Sequence, residues 1–186
     1  MAPMNRREAL KATAALGGAL ALSGGILAAC ERGQEEPATA GLLSRRQQDL
    51  AESIADTILP KTAASPGAKE AGAGAAINLL VTDCYEPPAQ QRLVEGLRQL
   101  DQRAELRFHK DFADLTRAQR EEMLRTISNE SKQAAPDTHW FPLMRELALR
   151  SYFSSQIGMT KALRYMQVAG KWVGCTPYVR GEPSWA

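Results

Sequence analysis

Apolar residues recur along this chain at helical rather than strand spacing, and turn signals divide them into segments. Leu50, Ile54 and Ile58 stand four residues apart. Ser44 with Gln47 ahead of them forms a capping box, and Leu43 is placed to act as its hydrophobic staple. Pro60 stops continuation past Leu59, so the pattern predicts a first helix over 45–58. After a turn signal at Ser65-Pro66-Gly67, a second stripe runs through Ala73, Ile77, Leu80, Val81 and Cys84, placing Cys84 partly buried on that face. Pro87-Pro88 ends this segment and opens the next, because proline suits the first turn of a helix. Leu93, Leu97, Leu100 and Ala104 then carry a third helix to Phe108.

Thr116 and Gln119 repeat the capping-box chemistry before a fourth helix with Met123, Leu124 and Ile127 on its buried side. Pro136-Asp137-Thr138 is read as the opening of a fifth helix bearing Phe141, Met144, Leu147 and Ala148. Ser154-Ser155 would cap a shorter sixth that ends near Tyr165. No segment alternates convincingly as a strand, apart from a weak hairpin signal at Ala169-Gly170. The expected fold is all-α: a single compact domain of five or six helices over 43–186 with an irregular C-terminal tail.

The first 29 residues follow a different logic. Arg6-Arg7 with Lys11 precede an uncharged run from Ala12 to Ala29 that is rich in Ala and diluted by four glycines. This resembles a twin-arginine export signal. The run is slightly short of the roughly 20 residues a bilayer-spanning helix needs. Leu27-Ala28-Ala29-Cys30 looks like a lipobox, with Cys30 the acylated mature N-terminus and 30–42 a polar tether. Each buried methylene of an acyl chain adds about 0.8 kcal/mol, so several chains would hold the protein at a membrane. The expected location is the periplasmic side of a membrane.

The formal charge of +2 belongs to that leader: the residues from Cys30 onward carry 20 basic and 20 acidic side chains. A neutral mature chain argues against a nucleic-acid partner. Once Cys30 is lipidated, Cys84 and Cys175 are the remaining thiols. In an oxidising compartment they are disulfide candidates, either with each other, tying the tail to a helix, or with a partner chain.

Catalytic signatures are missing. No Gly-rich turn follows a strand as a dinucleotide fingerprint requires, and neither cysteine belongs to a Cys-x-x-Cys-His haem motif. His109, His139, Cys84 and Cys175 lack the short spacings of a structural zinc site, so no metal is expected. Asp56, Glu70 and Asp83 lie near helix ends, where carboxylates cap or are solvated. Ser155 lacks the full nucleophile-turn pattern and is better read as a cap. Six of the eleven aromatics fall between Tyr152 and Trp185. Tyr and Trp are favoured interface anchors, so Trp172, Tyr178, Tyr165 and Trp185 are the candidates for contact with a partner, while Tyr152 and Phe153 suit the domain's own core.

Pro66-Gly67-Ala68-Lys69-Glu70-Ala71-Gly72, Asp83-Cys84-Tyr85, the segment Tyr152–Tyr165 and Gly170-Lys171-Trp172-Val173-Gly174-Cys175 together resemble the gluconate 2-dehydrogenase subunit 3 family. The resemblance implies a small, non-catalytic subunit without a cofactor of its own. It would bind a large FAD-containing sugar or polyol dehydrogenase of the glucose-methanol-choline type, often beside a multihaem cytochrome c, and would carry the export signal for the complex. The rival reading is a free-standing periplasmic lipoprotein that binds a small ligand.

The leader makes a direct prediction. Changing Arg6 and Arg7 to Lys should block export, and Cys30→Ala should release the protein from membranes into the soluble fraction. Membrane attachment unchanged in the Cys30 variant would refute lipidation.

Overall fold

Local capping fixes where most of the helices begin. The computed structural model describes residues 41–168, 170, 174, 175, 177 and 179–185. Five helices follow one another: α1 (Arg45–Ile58), α2 (Ala73–Cys84), α3 (Pro87–Phe108), α4 (Arg117–Gln133) and α5 (Trp140–Phe153). A single 3-10 turn at Phe112–Asp114 joins α3 to α4. At α1, Ser44 Oγ accepts from the Gln47 backbone N–H at 3.3 Å while Gln47 Oε1 accepts from the Ser44 N–H at 3.0 Å. Thr116 and Gln119 repeat the exchange at α4. The first four helices therefore match the expected periodicity and breaks, and the domain is all-α. The described residues contain no strand, only an isolated parallel bridge between Arg164 and Trp185. Ala169, part of the suspected hairpin, lies outside them.

Two expectations are corrected. Helix five does not open at Pro136-Asp137-Thr138: Asp137 takes the left-handed conformation, φ 58°, and interrupts the chain. His139 instead provides the cap, its Nδ1 accepting from the Phe141 N–H at 3.1 Å. The short sixth helix is one π-helical turn, Gly158–Ala162, closed by the Leu163 N–H donating to the Gly158 carbonyl at 3.0 Å. Residues 156–157 lead into it in α-helical form, and Ser155 caps that start, its Oγ accepting from the Gly158 N–H at 2.9 Å. The chain here folds back on the end of α5 so closely that a Cβ on residue 158 would lie 1.9 Å from the Tyr152 carbonyl oxygen. A side chain at that position is sterically excluded.

α5 occupies the centre and packs against α1, α2, α3 and α4. Trp140, Phe141, Leu143, Met144, Leu147, Ala148 and Tyr152 are all buried. A helix apolar over so much of its circumference is stable only when enclosed on several sides. Enclosure demands a gap on α3, supplied by Gly96, where a Cβ would meet the Trp140 side chain at 2.0 Å. Gly74 on α2 likewise admits the Gln48 carbonyl of α1, to which a Cβ would come within 2.9 Å.

Polar contacts lock the connections. Asn78, buried on α2, accepts from the Leu43 N–H at 2.9 Å, and Thr82 Oγ1 accepts from the Leu42 N–H at 2.8 Å, so the chain entering α1 is held against α2. The Pro66-Gly67 turn is pinned from α5, where the Tyr152 hydroxyl donates to the Pro66 carbonyl at 2.7 Å and also meets Ser65 Oγ. The Ala68 N–H reaches back to the Leu59 carbonyl at 2.9 Å, and a Cβ at Gly67 would meet Asp56 Oδ1 and the Lys61 nitrogen, each at 2.8 Å.

Gly96→Ala should destabilise the domain by about 1–3 kcal/mol, the usual cost of overpacking a filled core, although alanine is the better helix former. Tyr152→Phe should cost about 1 kcal/mol through the lost hydrogen bond. Urea unfolding measures both, and a Gly96→Ala protein as stable as the parent would contradict the close approach of α5 to α3.

Candidate partner interface

Beyond α5 the side chains turn outward. Phe153 makes an edge-to-face pair with buried Tyr152 at 5.0 Å between centroids but is itself partly exposed, at 37 %. It is therefore not the core residue its helical position suggests. Past the π turn, Tyr165, Met166 and Val168 are exposed, as are Val179 and Trp185 in the tail. Large apolar groups in such density are more than the scattered exposure normal for a surface and mark a surface suited to a partner.

Arg164 organises this region. Its backbone N–H donates to the Ser184 carbonyl at 2.8 Å, its Nε to the Pro183 carbonyl at 2.8 Å, and a terminal guanidinium nitrogen to Glu182 at 2.9 Å. The guanidinium also lies over the Trp185 ring, 4.5 Å from its centroid. One residue, through its side chain and its backbone N–H, thus holds four consecutive tail residues. The ion pair with Glu182 is half-exposed and worth little by itself, so the carbonyl bonds and the stacking give the clasp its geometry. A cleft of about 220 Å³ opens between Arg164, Pro177, Val179 and Trp185.

Of the expected interface residues, Tyr165 and Trp185 are exposed in this region. Trp172 and Tyr178 lie outside the described residues, as do Arg6, Arg7 and Cys30. Cys84 and Cys175 are both free and exposed in the single chain, accessible for the pairing expected with each other or with a partner chain. Cys84 is also less buried than its stripe suggested. The buried line Ala73, Ile77, Val81 continues to half-buried Tyr85, leaving Cys84 at the rim.

Asp56, Glu70 and His139 have structural partners. Asp56 Oδ1 accepts from the Lys69 N–H at 3.4 Å. Glu70 accepts from Lys61 Nζ at 2.6 Å, and that hydrogen bond holds its carboxyl below the usual range. Among the described residues no three His, Cys, Asp or Glu side chains gather where they could hold a metal ion, and no helix is long and apolar enough to cross a membrane. Sequence reasoning did not single out Arg164. Its only local signal was its place within the segment Tyr152–Tyr165.

The fold and this surface define a small all-helical domain whose distinctive exterior is an apolar, aromatic tail region. The sequence model of gluconate 2-dehydrogenase subunit 3 matches residues 45–170, from the first residue of α1 through the π turn and beyond. The chain belongs to the gluconate 2-dehydrogenase subunit 3 family. No curated protein and no solved structure matches it.

Arg164→Ala should free the tail while leaving the helices intact. Limited proteolysis should then cut C-terminal to residue 164 several times faster than in the parent, with unchanged helical circular dichroism. Equal cleavage rates would show that Arg164 does not hold the tail.

Proposed function

We propose that this chain is the non-catalytic small subunit of a periplasmic, flavin-dependent sugar or polyol dehydrogenase of the gluconate 2-dehydrogenase kind. The observation that carries the reading is the family match, which runs through all five helices and so covers the whole core rather than one motif. The name of the family is that of a subunit, and a subunit needs a surface for its partner. The exposed Tyr165, Met166, Val179 and Trp185 supply one of suitable chemistry.

In this reading the oxidation of substrate takes place on a large flavoprotein that holds FAD, and a multihaem cytochrome c, where present, receives the electrons. This chain assists the flavoprotein's maturation. Arg6-Arg7 direct the assembled pair to the twin-arginine route, which moves folded proteins and so permits flavin insertion before export. The acylated Cys30 then attaches the complex to the membrane. Trp172 and Tyr178 join the interface on the strength of the sequence alone.

Truncating a central aromatic anchor often costs about 2 kcal/mol or more, roughly thirtyfold in affinity. A Tyr165→Ala/Trp185→Ala double variant should therefore recover far less flavoprotein from cell extracts than the parent, with the helical signal of the small chain nearly unchanged. Wild-type affinity in that folded variant would place the interface elsewhere.

A further inference from the structure

The cap at the start of α5 uses an acceptor that a proton can switch off. Helices are ordinarily capped by Ser, Thr, Asp or Asn, whose oxygens accept throughout the range near neutral pH. Here the acceptor is an imidazole nitrogen: His139 Nδ1 takes the Phe141 N–H at 3.1 Å. That bond requires the neutral ring, with its proton on Nε2. A proton added to Nδ1 turns the acceptor into a donor, so that two N–H groups face each other across the cap. It also sets a positive charge at the positive end of the α5 dipole. The ring stacks on Trp140 with 6.0 Å between centroids, the outer limit for attraction between a cation and an aromatic face, so this contact does not replace the lost cap.

The surroundings of the ring also favour its neutral form. Burial is the largest influence and lowers the imidazole pKa. Glu130 of α4 acts against it and Arg103 of α3 with it, but these two are paired with each other at 2.8 Å and largely cancel. The remaining charged and titratable neighbours, Tyr85, Arg92, Asp137 and Glu146, line a cleft of about 520 Å³ that the ring shares. Glu146 is engaged by the Tyr85 hydroxyl and by Arg150, each at 3.1 Å, and Asp137 is exposed to screening solvent. Arg92 has no carboxylate partner among the described residues, and its charge opposes a second cation in the cleft.

The connection that the cap secures is otherwise bonded locally. Asp137 is left-handed, and the Thr138 N–H and hydroxyl both donate to the Ala135 carbonyl, at 3.3 and 2.7 Å. Immediately after His139 comes Trp140, which fills the gap at Gly96 and anchors the helix. We propose that His139 is a proton-operated latch: its protonation uncaps α5 and frees residues 134–139 to move off the cleft, while the helix beyond stays packed. The cleft is closed at neutral pH and open in mild acid. In the extracytoplasmic location proposed above, the latch follows the pH of the surroundings, but its operation does not depend on that location.

Linkage gives the direction. A histidine with a lowered folded pKa contributes stability that is present above the ordinary value of 6.5 and is lost as pH falls from there through the folded value. Glu52, whose pKa is raised by burial, acts with the opposite sign and favours the fold as pH falls. Glu95 and Glu70, held low by their hydrogen bonds to Arg98 and Lys61, lose their contribution only below the usual carboxylate range. Of the two histidines, His109 is exposed at the end of α3, so a loss between pH 6.5 and 5 belongs to His139.

NMR titration of the purified full chain tests the latch. The His139 ring should titrate below 6.5. The Phe141 amide, corrected for the intrinsic pH dependence of exchange, should exchange about tenfold faster at pH 5 than at pH 7, the combined worth of a cap and a charge at the helix end. Resonances that follow the ring should be those of residues 134–143 and Arg92, with α1 and α2 unmoved. His139→Asn supplies an acceptor that does not titrate, so it should keep the cap and abolish the pH dependence. A His139 pKa at or above 6.5, a His139→Asn chain with the parent's pH dependence, or changes spread over all five helices would each overturn the proposal. Because the titration uses this chain alone, its outcome is separate from that of the co-purification.

Discussion

Trp140 can sit against α3 only because residue 96 has no side chain, and the arrangement of the domain follows from that contact. α5 is too apolar to lie on a surface, so it must be enclosed by the four preceding helices, and enclosure requires one neighbour to come unusually close. Once seated, α5 fixes what lies at both of its ends. Its N-terminus, capped by His139, presents the first turns to the cleft containing Arg92. At its C-terminus Tyr152 ties down the Pro66-Gly67 turn, and Gly158 folds the following chain against the Tyr152 carbonyl, from which Arg164 and the tail continue.

This geometry changes the meaning of the segments that identify the family. Pro66-Gly67-Ala68 is a packed turn, and Ser155 through Gly158 is the cap and tight return of a π turn. Both contribute scaffolding around α5 instead of assembling a reactive group. What distinguishes the exterior is an unburied aromatic region on one side and a cleft with an unpaired arginine on the other. The role proposed above, with the chemistry left to a partner, suits this construction: a rigid centre, with function carried by surfaces that the centre positions.

Much of the fold was legible because its determinants are local. The two capping boxes, Pro60 and Pro87-Pro88 mark helix ends through contacts only three or four residues long, and the apolar spacing between them does the rest. The start of α5 was misread for the complementary reason. Pro136-Asp137-Thr138 has the composition of a helix opening, but Asp137 turns left-handed and a histidine, not one of the usual capping residues, accepts the bond. Gly96 looks like a weak point inside a helix until its contact with Trp140, 44 residues away in sequence, is known. Arg92 and Arg164 are two of the 20 basic residues from Cys30 onward, and only tertiary structure separates an unpaired guanidinium or a tail clasp from a solvated charge.

The central claim, that this domain serves a flavoprotein and does not itself oxidise substrate, is tested most directly by isolating the affinity-tagged chain from membranes in mild detergent. Flavin absorbance, subunit composition and acceptor-linked turnover with a sugar or sugar acid would be recorded on the same sample and again after the subunits are separated. The expected result is a defined complex with a larger flavin-containing chain, turnover in the complex, and none in the small chain alone. A small chain that purifies as a stable monomer without flavin, or that turns substrate over by itself, would contradict it.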